Sequence, residues 1–230
     1  MLSDLQSYFL DLLLSSGALR FGNFKTKSGR LSPFFLNSGA FDHGAILRDV
    51  ARCYAKQLVA FSKAQGISSW HLYGPAYKGI TLAAATAMEL SLETGQEVPF
   101  TFNRKEVKDH GEGGLFVGRD ISENTELIIV EDVLTGGTSV RQTLDLLWPI
   151  GPKVRAVIIG VDRMERGLGQ ISAAAEIRST FNIPVVSILS IQEIVDALWQ
   201  NGRPVTRVGK NWLDASLKTS IDEYRAQWGG

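Results

Sequence analysis

The segment Leu127-Ile128-Ile129-Val130-Glu131-Asp132-Val133-Leu134-Thr135-Gly136-Gly137-Thr138-Ser139 constrains the fold of this chain more than any other. Its apolar run reads as a buried parallel strand, because a strand covered on both faces has no polar side to present. Two adjacent carboxylates end the run, a turn of hydroxyls and glycines follows, and a helix opens near Thr138 with Val140, Leu144 and Leu147 at helical spacing. The two glycines let successive N–H groups converge beside the helix N-terminus, which makes a nest for a phosphate. Carboxylates would repel a bare phosphate. Set slightly apart, they accept hydrogen bonds from the hydroxyls of a sugar that carries one, so the segment predicts a ribose-phosphate site. The plainer alternative is a strand-turn-helix junction in which Asp132 ends the strand and Thr138 caps the helix; it needs neither two acids nor paired glycines between threonines.

The same strand-then-helix rhythm extends over most of the chain and predicts an α/β fold with a parallel sheet of five strands. Strands are expected near 67–73, 98–103, 127–132, 154–161 and 184–190, and helices near 80–93, 138–147, 172–181 and 191–200. Ahead of them, Ser3 and Gln6 have capping-box spacing for a helix through Leu14, and a second helix is expected from about 42 to 64 with Val50, Tyr54 and Leu58 on one face. Residues 21–39 read as a short irregular segment, and a short helix is expected around 217–228. The chain of 230 residues suits one substantial domain.

Charge and cysteine usage exclude several classes. With 24 basic and 24 acidic residues, no overall field recruits nucleic acid or an anionic membrane. No apolar run approaches the ~20 residues that span a bilayer, and the N-terminus, with Asp4 and Asp11, does not read as a signal peptide. The single cysteine, Cys53, forms no internal disulfide and fits a buried helix face; a reducing cytoplasm is the simplest compartment. The three histidines are too scattered for a zinc site, and His43 and His71 read as structural. Lys78 precedes the second glycine of Gly74-Pro75-Ala76-Tyr77-Lys78-Gly79, so that loop is not a Walker A motif, and Gly167-Leu168-Gly169 is weak evidence for a dinucleotide.

In a parallel sheet, ligands collect beyond the carboxyl ends of the strands. The Gly74–Gly79 loop follows the first expected strand, Arg104 and Lys105 the second, Glu131 and Asp132 the third, and Asp162-Arg163 the fourth. Four segments therefore aim polar groups at one rim.

Several of these segments resemble the type I phosphoribosyltransferases. The strand-acid-acid-T-G-G-T stretch matches their motif for phosphoribosyl pyrophosphate (PRPP). Lys27-Ser28-Gly29-Arg30, Ser32-Pro33-Phe34-Phe35, the 74–79 loop, Arg104-Lys105-Glu106-Val107-Lys108-Asp109-His110-Gly111-Glu112-Gly113 and Asp162-Arg163-Met164-Glu165-Arg166-Gly167 look, in this order, like the orotate branch of that family. Two departures stand out: Gly136 replaces a common alanine, and Thr81 a frequent proline.

The resemblance implies the type I phosphoribosyltransferase fold, a mostly parallel sheet flanked by helices with a small hood from the N-terminal region. One domain would span 1–230, with helices and hood over 1–65, a Rossmann-like core over 66–201 and an extension over 202–230. It implies transfer of ribose 5-phosphate from PRPP to orotate, a step of pyrimidine (UMP) synthesis, with Mg2+ and no direct protein ligand to the metal. Lys105, His110 and Asp132 would be catalytic. PRPP would be held by Lys27, Tyr77, Lys78, Arg104, Lys105, Lys108, His110, Glu131, Asp132, Val133, Leu134, Thr135, Gly136, Gly137, Thr138 and Ser139, and orotate by Phe34, Phe35, Thr135 and Arg163. The loop 104–114, from Arg104 to Gly114, would close over the neighbouring site of a homodimer; composition alone favours a solvated surface hairpin. Phe34 and Phe35 also suit simple core burial, Arg163 a surface ion pair with Glu165 or Asp162, Lys27 an exposed loop lysine, and Tyr77 plain packing. A purine-specific phosphoribosyltransferase and a PRPP-sensing regulator remain the alternatives.

Overall fold

Leu127, Ile128, Ile129 and Val130 are all buried, because both faces of their strand are covered. Ile128 and Val130 join an apolar cluster with Val50, Leu58, Leu90 and Ile194; Leu127 and Ile129 join a second cluster with Val140, Leu147 and Ile177. The computed structural model describes residues 1–26, 29–108, 114–200 and 213–230. In chain order these form α1 (Asp4–Ser15), β1 (Leu19–Lys25), β2 (Leu31–Leu36), α2 (Gly44–Gln65), β3 (Leu72–Gly74), α3 (Lys78–Thr94), β4 (Phe100–Lys108), β5 (Gly114–Gly118), β6 (Glu126–Leu134), α4 (Thr138–Leu147), β7 (Lys153–Asp162), α5 (Ala173–Phe181), β8 (Val185–Ser190), α6 (Ile191–Gln200) and α7 (Ala215–Trp228).

The main sheet has the order β5-β4-β3-β6-β7-β8, and β3, β4, β6, β7 and β8 are parallel. The five expected strands are therefore present in an α/β fold, but the sheet has six. The sixth, β5, begins where the expected loop 104–114 ends. β4 continues to Lys108, and the chain returns antiparallel as β5 from Gly114. Alternating charges over 104–109 hid an edge hairpin that no buried face marks in the sequence. The strand expected over 67–73 shrinks to Leu72–Gly74. The Ile67 N–H instead donates to the Ser62 carbonyl on α2 at 2.9 Å, and Trp70 Nε1 to Ser62 Oγ at 2.8 Å.

The segment expected to be irregular forms a two-stranded antiparallel ribbon, β1 with β2, followed by a short 3-10 turn at Ser38–Ala40. Pro33 obscured β2. A two-stranded ribbon tolerates proline, since each strand keeps one free edge. The helices fall where the apolar spacing placed them, and the Ser3–Gln6 capping box is present on α1. Cys53 is buried, and burial pushes its thiol up to about 12. His71 is buried against Thr101 Oγ1 at 2.8 Å, and His43 caps α2 by accepting from the Ile46 N–H. No helix of the described residues is long and apolar enough to cross a membrane.

Candidate active site

The ends of β6 and β7 lie side by side: Leu134 pairs with Asp162, and the Arg163 N–H donates to the Leu134 carbonyl at 3.1 Å. Register alone thus brings the acid pair and turn of one strand next to the Asp162-Arg163 pair of the other. A cleft of about 540 Å³ opens there, bounded by residues 131–140 and by residues of the β1–β2 ribbon.

The turn begins from a fixed strand end. Tyr54, buried on α2, donates to the Glu131 carbonyl at 2.8 Å. Gly137 is the N-cap of α4 with φ 77°, and the helix has no side-chain cap and no acid in its first turn. Its leading N–H groups are therefore free to bind an anion. Arg141, one turn in, donates from Nη1 to the Gly136 carbonyl at 2.7 Å and from Nη2 to Glu176 Oε2 at 2.6 Å. A Cβ on Gly137 would sit 2.8 Å from that Nη1, whereas one on Gly136 would meet open space. The departure at Gly136 thus leaves the backbone of the nest in place. Val133 and Leu134 offer backbone to the cleft, the Leu134 side chain being in the core.

The two acids have different surroundings. Glu131 is 7% exposed and takes a hydrogen bond from the Ser139 hydroxyl. Burial pushes its carboxyl up to about 7; the Ser139 bond opposes that shift and Asp132 adds to it. Asp132 is held by donors on both oxygens: the Val133 N–H at 2.8 Å on Oδ1, and Ser38 Oγ and Lys78 Nζ on Oδ2, the lysine at 3.4 Å. Lys78 also reaches Asn37 Oδ1 at 3.3 Å.

The 74–79 loop leaves β3 and opens α3. It is tight, since a Cβ on Gly74 would collide with the Gly79 carbonyl. Asn103 on β4 pins it: Oδ1 accepts from the Ala76 N–H at 3.1 Å and the Tyr73 hydroxyl at 3.0 Å. Tyr77 is exposed, with the Lys105 ammonium 4.2 Å from its ring centre. Arg104 sits partly buried on the same strand as Lys105. Lys27, His110 and the Lys108 side chain lie outside the described residues.

Phe34 and Phe35 point to opposite sides of β2. Phe34 is fully buried, while Phe35 is exposed and stacks on Phe24 at 5.4 Å. Arg163 is not the surface ion pair weighed above. It is 6% exposed and buried against Glu165, with Nη2 at 2.6 Å and Nε at 2.7 Å from Oε1. Its guanidinium lies 4.3 Å from the Phe34 ring centre, and Nη2 donates to Ser32 Oγ at 3.1 Å. The remaining nitrogen, Nη1, has no partner among the described residues. Sequence reasoning passed over Ser38, Asn37, Asn103, Arg141 and Tyr224. Each acts on a partner far along the chain or on backbone, and none carries a local motif. Glu165 stood within a quoted motif, but only as a surface partner for Arg163.

A larger cleft of about 890 Å³ lies between α1 and α2. Asp11, Asp42 and Asp49 line it with a single arginine, Arg20, so it would repel a phosphorylated ligand.

Residues 41–186, more than half of the chain, match the phosphoribosyl transferase domain family. The chain belongs to that family. Among curated relatives, it is 42% identical to the orotate phosphoribosyltransferase of Laribacter hongkongensis over 228 residues, covering 99% of both chains. It is 42% identical to that of Lachnoclostridium phytofermentans over 222 residues, covering 96% of both. Among solved structures, the orotate phosphoribosyltransferase of Francisella tularensis superposes with a TM-score of 0.78 at 33% identity, covering 96% of this chain and 99% of the other.

Proposed function

We propose that the chain is an orotate phosphoribosyltransferase, which transfers ribose 5-phosphate from PRPP to orotate and releases orotidine 5′-monophosphate and pyrophosphate. One observation carries this reading: a single cleft has an uncapped phosphate nest with an acid pair at one end and a buried arginine with one open edge at the other. Near-full-length relatives named for this activity support it.

In this reading the 5′-phosphate sits on the N–H groups of 135–139, and Glu131 and Asp132 accept from the ribose hydroxyls. As the bond at C1 breaks, positive charge builds on the ribose, which the two carboxylates favour, and negative charge builds on the departing diphosphate. Lys78 is released from Asp132 to meet that charge, joined by Arg104, Lys105, Lys108 and His110. Each charge-assisted bond is worth about 1.5–3 kcal/mol. Orotate lies against Phe35 with its carboxylate on Arg163 Nη1, and Thr135 reaches the base from the turn. Lys27 approaches the phosphoribosyl group. The hairpin covers the site and keeps water from the cationic sugar.

Magnesium fits the donor set. Asp132, at the acid end of the cleft, offers hard carboxylate oxygens. The ion would be held by substrate oxygens with Asp132 at its water shell, and it would neutralise charge on the diphosphate. The chain reads as one domain over 1–230, acting as a homodimer in the cytoplasm, with the 104–114 hairpin reaching the neighbouring site.

Purified protein mixed with PRPP, magnesium and orotate should bleach the orotate ultraviolet band and release pyrophosphate in equal amount. Turnover of adenine, guanine or hypoxanthine with none of orotate would replace this reading with the purine one.

A further inference from the structure

The C-terminal helix α7 touches Phe34, Arg163, Glu165 and Arg30 at the orotate end of the cleft, and the reaction as described gives it no role. Its Tyr224 packs edge-on against Phe34, ring centres 5.9 Å apart, and donates from its hydroxyl to Glu165 Oε1 at 2.9 Å. Its Trp228 lies 4.3 Å from the Arg30 guanidinium. Just beyond, the Gly229 carbonyl accepts from Arg166 Nε at 2.9 Å, and the Gly230 N–H donates to the Met164 carbonyl at 3.1 Å.

Glu165 is the hub of this corner. It is 3% exposed, its Oε1 takes both Nε and Nη2 of Arg163, and its Oε2 lies 3.6 Å from Arg30 Nη1. Among the described residues these two guanidiniums share the Glu165 carboxylate, so the trio carries one net positive charge. The geometry also fixes where that charge can be used. Two nitrogens of Arg163 are pinned and its face is covered by Phe34, so only the Nη1 edge remains for a ligand. Burial, and then the Glu165 carboxylate, raise the Tyr224 hydroxyl above its ordinary value, so it stays a donor.

We propose that Glu165, held by Tyr224 of α7, aims Arg163 and sets the charge of this corner, so that it selects a planar base bearing one carboxylate. Both are positioning residues; neither meets the reacting atoms. The inference rests on the orotate reading.

Full-length wild type, Tyr224→Phe and Glu165→Gln are compared with orotate, uracil and PRPP. Tyr224→Phe keeps every apolar contact and should raise the KM for orotate roughly tenfold, the size of a lost hydrogen bond to a charged group, with the KM for PRPP unchanged. Glu165→Gln should raise it further and narrow the preference for orotate over uracil, which lacks the carboxylate. An unchanged orotate KM in Tyr224→Phe, or equal rises for orotate and PRPP, overturns the proposal. A wild type that does not use orotate at all sinks the parent reading instead, and this one with it.

Discussion

Glu131 shows how one side chain can serve two states. Its carboxyl titrates near 7 in the folded chain because it is buried, against about 4.3 when unfolded. Between those values the folded state holds a proton that the unfolded chain has released, so this group's contribution to stability is full below the lower value and lost as pH rises through the upper one. Glu131→Gln should therefore melt close to wild type at pH 5 but several degrees higher at pH 8, where ionising the buried acid costs at most about 4 kcal/mol. Saturating PRPP should reverse the difference at pH 8, since the ionised acid then accepts from the ribose. Melting curves with the same offset at both pH values would contradict the shift. The acids at 131 and 132 and the following turn were legible as a site because their chemistry is local. The Tyr54 and Ser38 contacts that hold them were not, because each joins residues more than 70 positions apart.

The turn between β6 and α4 makes a sharper test of the elements. Gly137 needs its left-handed backbone and has Arg141 Nη1 against it; Gly136 needs neither. Gly137→Ala should cost about 1 kcal/mol or more of stability and weaken PRPP binding at least tenfold as the nest deforms. Gly136→Ala should stabilise by about 0.4–1 kcal/mol with unchanged kinetics. Equal effects, read by denaturant unfolding and PRPP titration, would mean that the turn does not work as described. Helices and buried strands were read well from spacing because their apolar periods are set by the two core clusters. The β1–β2 ribbon, β5 and the outer half of β4 were missed as strands, since none of them is sandwiched between two apolar layers and so none carries such a period.

At the scale of the whole molecule, the hairpin poses the main question. In the single chain Lys105 lies over Tyr77 of its own 74–79 loop, whereas the proposed homodimer gives it to the neighbouring site. Lys105→Ala and Asp132→Asn should each be nearly inactive, with Lys105→Ala losing turnover far more than PRPP affinity. Mixed equally and allowed to exchange, they should recover about a quarter of wild-type activity, because half of the dimers would then hold one intact site. No recovery after demonstrated exchange would place Lys105 in its own site. The C-terminal helix was foreseen only as a short tail element; its hold on Arg163 and Glu165 depends on contacts about 60 residues apart, which no local pattern signals. The most direct measurement is a crystal structure with orotidine 5′-monophosphate bound. The phosphate should lie on the backbone N–H groups of 135–139, the ribose hydroxyls on Glu131 and Asp132, and the base carboxylate on Arg163 Nη1. A nucleotide bound in the reverse sense, or with that turn empty, would contradict it.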